Sequence, residues 1–546
     1  MSDFYDILLA KKLAGESGGG VVPSGTISIS SNGTYNVYSY ASANVSISGS
    51  GSSGHENEIL GRSISGTYTN TDLITLGSYA LAGCDTLTSV DFQECRSILG
   101  SAFIYCMNLS FANFPKCTNI NGYAFSGTAL RSFSFPMCSD IGLYAFKDCY
   151  YLTSVNFPEC KKIWNGAFMS CTNLSSVSFP ECSNIDISAF AYCSRLESLY
   201  FPSCEYIGSN AFTQCSISLS SVYFPECISI GSSAFISCFN LQSLSFPVCK
   251  SIGVYAFGYC SRLESVNLPE CTSIGGNAFY SCSSLVSANF SKCTSIGSYV
   301  FYYCSALASI SFPECKYIGS YAFALCYNLA SAYFPSCYSI YNSAFYSCSS
   351  LTTVDFPICL SIDTNVFSKC SALTNVSFPA CKTIGSTTFA YCIGLTSVNF
   401  PECTYISNSA FAQCSNLGSI SFPKCSGIGA SAFAGCSNLT SVDFPSCSFV
   451  ATSAFISCSK LAYASFPVCS SIGSNAFRSC YSLSRIYLLS SSVCGLSTLV
   501  FGSTPFTLST YLGYFGSIFV PESLVSSYKT ATNWTTYSNR ITAYVE

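Results

Sequence analysis

Charge is scarce in this chain. Only 9% of its 546 residues are Asp, Glu, Lys or Arg, 26 acidic against 22 basic for a net charge of −4, where about a quarter is usual for a globular domain. The basic stripe that tracks phosphates is missing, so nucleic acid is not an expected partner. Histidine is scarcer still. The single His55 sits in Gly-His-Glu-Asn ahead of the repetitive part of the chain and reads as a solvated linker residue, not as a general base or triad member. No Cys-x-x-Cys pair and no Gly-Lys-Ser/Thr loop occurs, which leaves no zinc ligand set and no nucleotide phosphate cradle. No catalytic residue, metal ligand or cofactor is assigned.

Long apolar runs are lacking too. Hydrophobic residues make up 49% of the chain, yet Ser, Cys, Gly or Pro breaks each run far short of the ~20 residues that span a bilayer, so no membrane insertion is expected. The start, MSDFYDILLAKKLAGESGGG, has acidic residues before its short apolar run and Lys11 and Lys12 after it, the wrong order for a secretory signal. It suits a short amphipathic helix from Ser2 to about Leu13, with Phe4, Ile7 and Leu8 on one side for docking, and a flexible joint over Gly15 to Gly20.

What the chain has in abundance is 37 Cys, 44 Phe and 38 Tyr, and most of it is in register. The unit Leu-x-x-Val-x-Phe-Pro-x-Cys-x-x-Ile-Gly-x-x-Ala-Phe-x-x-Cys recurs every 22 residues from about Leu87 to about Leu488. One cysteine series runs Cys95, Cys117, Cys138, Cys160 and on to Cys469; a second runs Cys84, Cys106, Cys149, Cys171 and on to Cys480; Cys494 stands outside both. A residue is missing between Phe125 and Leu130, where the second series also loses its cysteine, and one is added between Cys215 and Leu219. Indels confined to one turn of the repeat are the mark of stacked supersecondary units.

The segment Leu152-x-x-Val155-x-Phe157 alternates as a strand does, and Pro158 follows where a missing amide ends pairing. The stretch Ile163 to Phe168 reads as an irregular or 3₁₀ return. The fold class is therefore a β-rich solenoid of about 19 coils of 22 residues with one parallel strand each, on the order of 90 Å long at ~4.8 Å per strand. The expected division is helix and Gly linker over 1–20, a small β-rich module over 21–55 around the hairpin-type dipeptide Asn32-Gly33, an N-terminal cap over 56–83, the solenoid over 84–488, and a C-terminal cap over 489–546. In that cap Pro521 is placed to open a helix with Leu524 and Tyr528 one turn apart and Trp534 beyond, a lid over the apolar edge at Ile486, Leu488 and Leu489.

Stacked cysteines at ~4.8 Å with parallel side-chain vectors fit a ladder of buried thiols better than bridges between coils, whose torsion near 90° they do not readily reach, and better than metal ligation. Glu159, Glu181, Glu226, Glu270, Glu314 and Glu402 line one edge. They resemble glycosidase carboxylate pairs only in spacing; Lys292 and Lys424 among them favour a solvated edge.

Two outward columns remain on the strands. One is mostly serine (Ser89, Ser132, Ser154, Ser176, Ser198, Ser221 and onward). The other carries the individuality: Asp91, Asn113, Ser134, Asn156, Ser178, Tyr200, Tyr223, Ser245, Asn267, Asn289, Ser311, Tyr333 and Asp355. Uncharged hydroxyls and amides with scattered rings suit sugars or polar protein surfaces. The candidate binding face is Asn156, Ser178, Tyr200, Tyr223, Ser245, Asn267, Asn289, Tyr333 and Asp355; the same composition also serves to solubilise a sheet.

The repeat resembles BspA-like leucine-rich repeats of bacterial surface proteins over about 400 residues. The resemblance implies a single-sheet solenoid used in adhesion or protein contact. The N-terminal stretches Ser30 to Val37 and Tyr40 to Val45 are similar to those of phage or prophage tail proteins from Gram-positive gut bacteria, and Ile518 to Lys529 with Asn533-Trp534 is similar to segments that close such repeat proteins. The expectation is a non-enzymatic adhesion protein on a virion or cell surface. It would present the solenoid to a host-surface protein or carbohydrate and hold a tail or virion partner through its N-terminal helix. The alternative is a structural spacer.

Overall fold

The computed structural model describes residues 73–507 and 516–545, the strand Gly66–Asn70, and the short strands Ile27–Ile29, Val37–Tyr38, Val45–Ile47 and Ile59–Leu60. The expected N-terminal helix, the Gly joint and His55 lie outside the described residues. The chain forms two compact units, residues 1–157 and 158–546, each a stack of parallel turns.

Every turn carries two strands, not the single one read from the sequence. In the first unit Gly66–Asn70, Leu87–Phe92, Phe111–Asn113 and Ser132–Ser134 pair in parallel, and a second ladder joins Thr75–Leu76, Ser97–Ile98, Asn119–Ile120 and Asp140–Ile141. The second unit repeats the arrangement, with three-residue strands from Ser176–Ser178 to Arg485–Tyr487 and a continuous ladder of two-residue strands from Lys162–Ile163 to Gly495–Leu496. Two residues are too few to show alternation, which is why the second strand escapes a periodicity reading. The two units together have about 21 turns, slightly more than the 19 read from the sequence, because strands outside Leu87 to Leu488 pair in the same manner: Thr75–Leu76 with Ser97–Ile98, and Ser517–Pro521 with Arg485–Tyr487. Near the start of the chain, Ile27–Ile29 pairs in parallel with Val45–Ile47, and Val37–Tyr38 with Ile59–Leu60. The strands flanking Asn32-Gly33 thus pair with later strands and not with each other as a hairpin would.

The return between the two ladders is a chain of turns with no helix. Its amides alternate in their use: those of Ile236 and Cys238 donate within the turn to Ser233 and Phe235, whereas those of Ser233, Phe235 and Ser237 donate to Val254, Ala256 and Gly258 one turn on, at 2.7–2.8 Å. That third ladder leaves these amides satisfied. Its geometry puts Ser233 and Ser237, and their counterparts in almost every turn, in the left-handed region at φ 55° and 60°.

The interior is filled by columns of identical side chains. Phe235 stacks on Phe257 at 5.3 Å with 2° between planes, Phe224 on Phe246 at 5.4 Å and 1°, and the two columns meet edge to face, Phe246 on Phe257 at 6.1 Å and 63°. All four rings are fully buried, each worth about 1.5–3 kcal/mol in removed apolar surface. None of the 37 cysteines, all of them described and buried, forms a disulfide. The thiols act as donors. In one column Sγ bonds the carbonyl two residues on, as Cys182 does to Asn184 at 3.3 Å; in the other it reaches the phenylalanine carbonyl of the preceding turn, as Cys282 does to Phe257 at 3.2 Å. Where the second column loses its cysteine, Thr128 takes the place, and its Oγ1 donates to the Phe125 carbonyl at 2.9 Å. Thr504 does the same to Phe501 at 2.7 Å. A threonine can replace a hydrogen-bonding thiol but not a disulfide half, so the column selects a small buried donor.

At the C-terminal end Pro521 closes the strand Ser517–Pro521 and precedes a 3₁₀ turn, Glu522–Leu524, and the helix Val525–Thr530. Tyr528 and Trp534 are buried there. The Tyr528 hydroxyl accepts the Cys494 amide at 2.9 Å, and the Trp534 indole donates to the Cys494 carbonyl at 2.7 Å. The strand Ile541–Tyr544 then pairs with Ser517–Pro521. Cys494, outside both sequence series, thus has its backbone clamped by the terminal segment.

Candidate binding face

The three-residue strands put their middle residue inward and the flanking two outward, because successive side chains alternate across a strand. Val177, Val222, Val266 and Val354 are buried on this pattern. Parallel, unshifted register then places each outward side chain one turn from its equivalent. Ser178 neighbours Tyr200, Tyr223 neighbours Ser245, Asn267 neighbours Asn289, and the run Asn289, Ser311, Tyr333 and Asp355 follows in adjacent turns. Tyr200, Tyr223 and Tyr333 are 56%, 62% and 57% exposed, with no core role to hold them. Asn289 donates from Nδ2 to Asn267 Oδ1 at 2.8 Å. Such amide-to-amide contacts fix donor and acceptor directions along the face. Asn156 ends the exposed strand Ser154–Asn156 of the first unit. In that unit the same column holds Asp91 and Asn113, whose Nδ2 donates to the carboxylate at 2.8 Å.

The carboxylate edge is arranged as a solvated surface. Lys292 contacts Glu270 and Lys424 contacts Glu402, both at 2.7 Å and about half-exposed, and Lys116 contacts Glu94 at 2.6 Å in the first unit. Exposed pairs of this kind contribute about 0–1 kcal/mol. Among the described residues no group of three or more His, Cys, Asp and Glu is placed to hold a metal ion, and no helix is long and apolar enough to cross a membrane. Burial pushes the Cys238 and Cys414 thiols up to about 12, so at these positions the reactive thiolate is suppressed near neutral pH.

Comparison with known proteins agrees with this geometry. The family model described as the BspA type leucine rich repeat region matches in overlapping stretches that run from residue 23 to residue 511. A leucine-rich repeat protein from Bacteroides ovatus has a TM-score of 0.50 and 24% identity over 63% of this chain and 91% of its own; it shares the fold. A leucine rich cell surface protein from Faecalibacterium prausnitzii is 24% identical over 54% of this chain and 83% of its own, with a TM-score of 0.33. A leucine-rich repeat protein of T. pallidum is 32% identical over 27% of this chain and 72% of its own, with a TM-score of 0.26. No curated protein matches.

Proposed function

This chain belongs to the BspA-type leucine-rich repeat family, and from that premise we propose that it is a non-enzymatic adhesion protein, carried on a cell or virion surface, that presents its strand face to a host-surface protein or glycan. The observation that carries this reading is the variable outward column. On a scaffold whose inward columns hardly change from turn to turn, Tyr200, Tyr223 and Tyr333 stand more than half exposed among Ser and Asn. Rigid tyrosine rings bring contact area at little entropic cost, and hydroxyl and amide neighbours add adaptable hydrogen bonds. A rigid parallel ladder keeps that array preorganised, which lowers the cost of binding.

The test is binding of the full chain to intact host cells and to a glycan array, beside a variant with Tyr200→Ser, Tyr223→Ser and Tyr333→Ser. Serine already stands at this position in other turns, as at Ser245 and Ser311, so the variant is expected to fold. Loss of host-cell binding, or of binding to particular glycans of the array, in the variant supports the reading. A folded chain that binds no cell and no glycan leaves the spacer as the function.

A further inference from the structure

The return turns carry a second aromatic surface that neither the core nor the strand face uses. Tyr280 and Tyr302 stack at 5.0 Å, and Tyr299 and Tyr321 at 4.8 Å with 7° between planes. Tyr299 meets Tyr302 at 5.5 Å, and Tyr259 meets Tyr280 at 5.3 Å, both tilted. Tyr303 adds an open ring, 43% exposed, as Tyr259 does at 41%. These six side chains come from four successive turns of the second unit.

Their backbone positions are costly ones. Tyr259, Tyr299, Tyr303 and Tyr321 lie at φ 63°, 60°, 59° and 56°, a left-handed conformation that a bulky side chain adopts at a cost of about 1 kcal/mol or more. In the same two columns other turns use Ser233, Ser237, Asn277, Ser281 and Ser343, smaller residues, with asparagine favoured in this conformation. The fold therefore does not require tyrosine there. Nor does it bury these rings as core: they stand on the outside, braced against each other.

Charge narrows the partner. The turn segments 274–285, 296–307 and 318–329 contain no Asp, Glu, Lys or Arg, and the segment 252–263 that carries Tyr259 contains one charged residue, Arg262, so the ridge is nearly uncharged and offers little to a polyanion or a charged protein patch. It has phenol hydroxyls, which burial among neighbouring rings pushes up from the ordinary tyrosine value at Tyr280 and Tyr299, and which therefore remain donors. Tyr259 and Tyr303 stay partly exposed beside the stacked pairs, each with one ring neighbour, Tyr280 and Tyr327. The repeat of 4.8–5.0 Å between rings is about the length of one pyranose unit in an extended sugar chain. We infer that this tyrosine ridge is a binding site for a neutral polysaccharide, with sugar faces laid on Tyr259 and Tyr303 and sugar hydroxyls bonded to the phenols of the stacked pairs. It is separate from the strand face and does not depend on that face binding anything.

The experiment is affinity gel electrophoresis of the full chain in gels containing a β-glucan, a mannan, a galactan or a xylan, with hyaluronan as the anionic comparison. The ridge variant carries Tyr259→Ser, Tyr303→Ser, Tyr280→Ala and Tyr302→Ala, residues that the repeat itself uses at these positions in other turns, as at Ser237, Ser281 and Ala324. Retardation is expected in at least one neutral gel and not in hyaluronan. Removing each ring should weaken binding about two- to tenfold, so the combined variant should migrate as if no sugar were present. Its thermal unfolding should stay cooperative and close to the parent's, because the serines keep the same left-handed turns, as Ser237 and Ser281 do, and only exposed ring contacts are lost; kept folding with lost binding is the signature of a surface held for a ligand. The triple strand-face variant should be retarded like the parent. Migration unaffected by all four neutral polysaccharides, equal retardation of parent and ridge variant, retardation by hyaluronan alone, or loss only in the strand-face variant would each overturn the ridge.

Discussion

Alkali should unfold this protein in one steep step, and the thiol columns set where. Burial pushes Cys238, Cys249, Cys359 and Cys414 from an ordinary 9.0 up to about 12. A thiol is neutral when protonated, and its folded-state affinity for the proton is the higher one. The stability it contributes is therefore complete below pH 9 and is lost as the pH rises through 9 toward 12. At about pH 10 an unfolded thiol is roughly nine-tenths ionised, so refolding must return almost one proton per cysteine, a loss of about 1.4 kcal/mol each. Five turns hold about ten such thiols, and together they forfeit roughly 14 kcal/mol at about pH 10, as much as the whole stability of an ordinary domain. Circular dichroism read beside thiol reactivity, under reductant and stepped from about pH 8 to about pH 11, should show strand signal and thiol protection vanishing together between about pH 9 and 10.5. Retention of the strand signal at about pH 11 while thiolate absorbance grows with a midpoint near 9 would mean that the columns titrate in place, and the reasoning would fail.

Other perturbations test other columns. Phe257→Ala should cost about 3–5 kcal/mol and broaden calorimetric unfolding, since a cavity within a nearest-neighbour stack uncouples the turns on either side; Ser243→Ala, on the solvent side, should stay within about 0.5 kcal/mol. Cys282→Thr should be tolerated, with its hydroxyl turned to the phenylalanine carbonyl of its own turn as those of Thr128 and Thr504 are, while Cys282→Ala removes the thiol bond to a Phe257 carbonyl that still accepts the Cys260 amide and should cost about 0.5–1.5 kcal/mol in urea titrations. Deleting residues 518–546 should make the chain self-associate: it uncovers the strand Arg485–Tyr487 and removes Tyr528 and Trp534 from Cys494. Light scattering that shows a soluble species of unchanged association state would refute a capping role.

The repeat made the interior legible because an inward column must hold one size and shape for neighbouring turns to stack. Cys117, Phe157, Ile163 and Phe168 could each be assigned to the core from spacing alone, and all are buried. Backbone conformation was less legible. Ser233 and Ser237 look like ordinary turn residues, and their left-handed φ values follow from amides that must reach the next turn, a demand that arises only in the stack. Thr128 was readable in hindsight, three residues after Phe125 where a cysteine belongs, once the column is understood to select a donor. The candidate strand column was predicted as a row, and Tyr200, Tyr223 and Tyr333 project from it. The tyrosine ridge was missed because its residues are scattered in sequence and come together only when turns are superposed. Function in such a protein has to be sought where a column departs from its own consensus. Inward departures, such as Leu268 in a phenylalanine column, stay buried and apolar. Outward ones are free of the core's constraint on size and shape, so the exposed tyrosines of the strand column and of the ridge are the positions at which binding is to be tested.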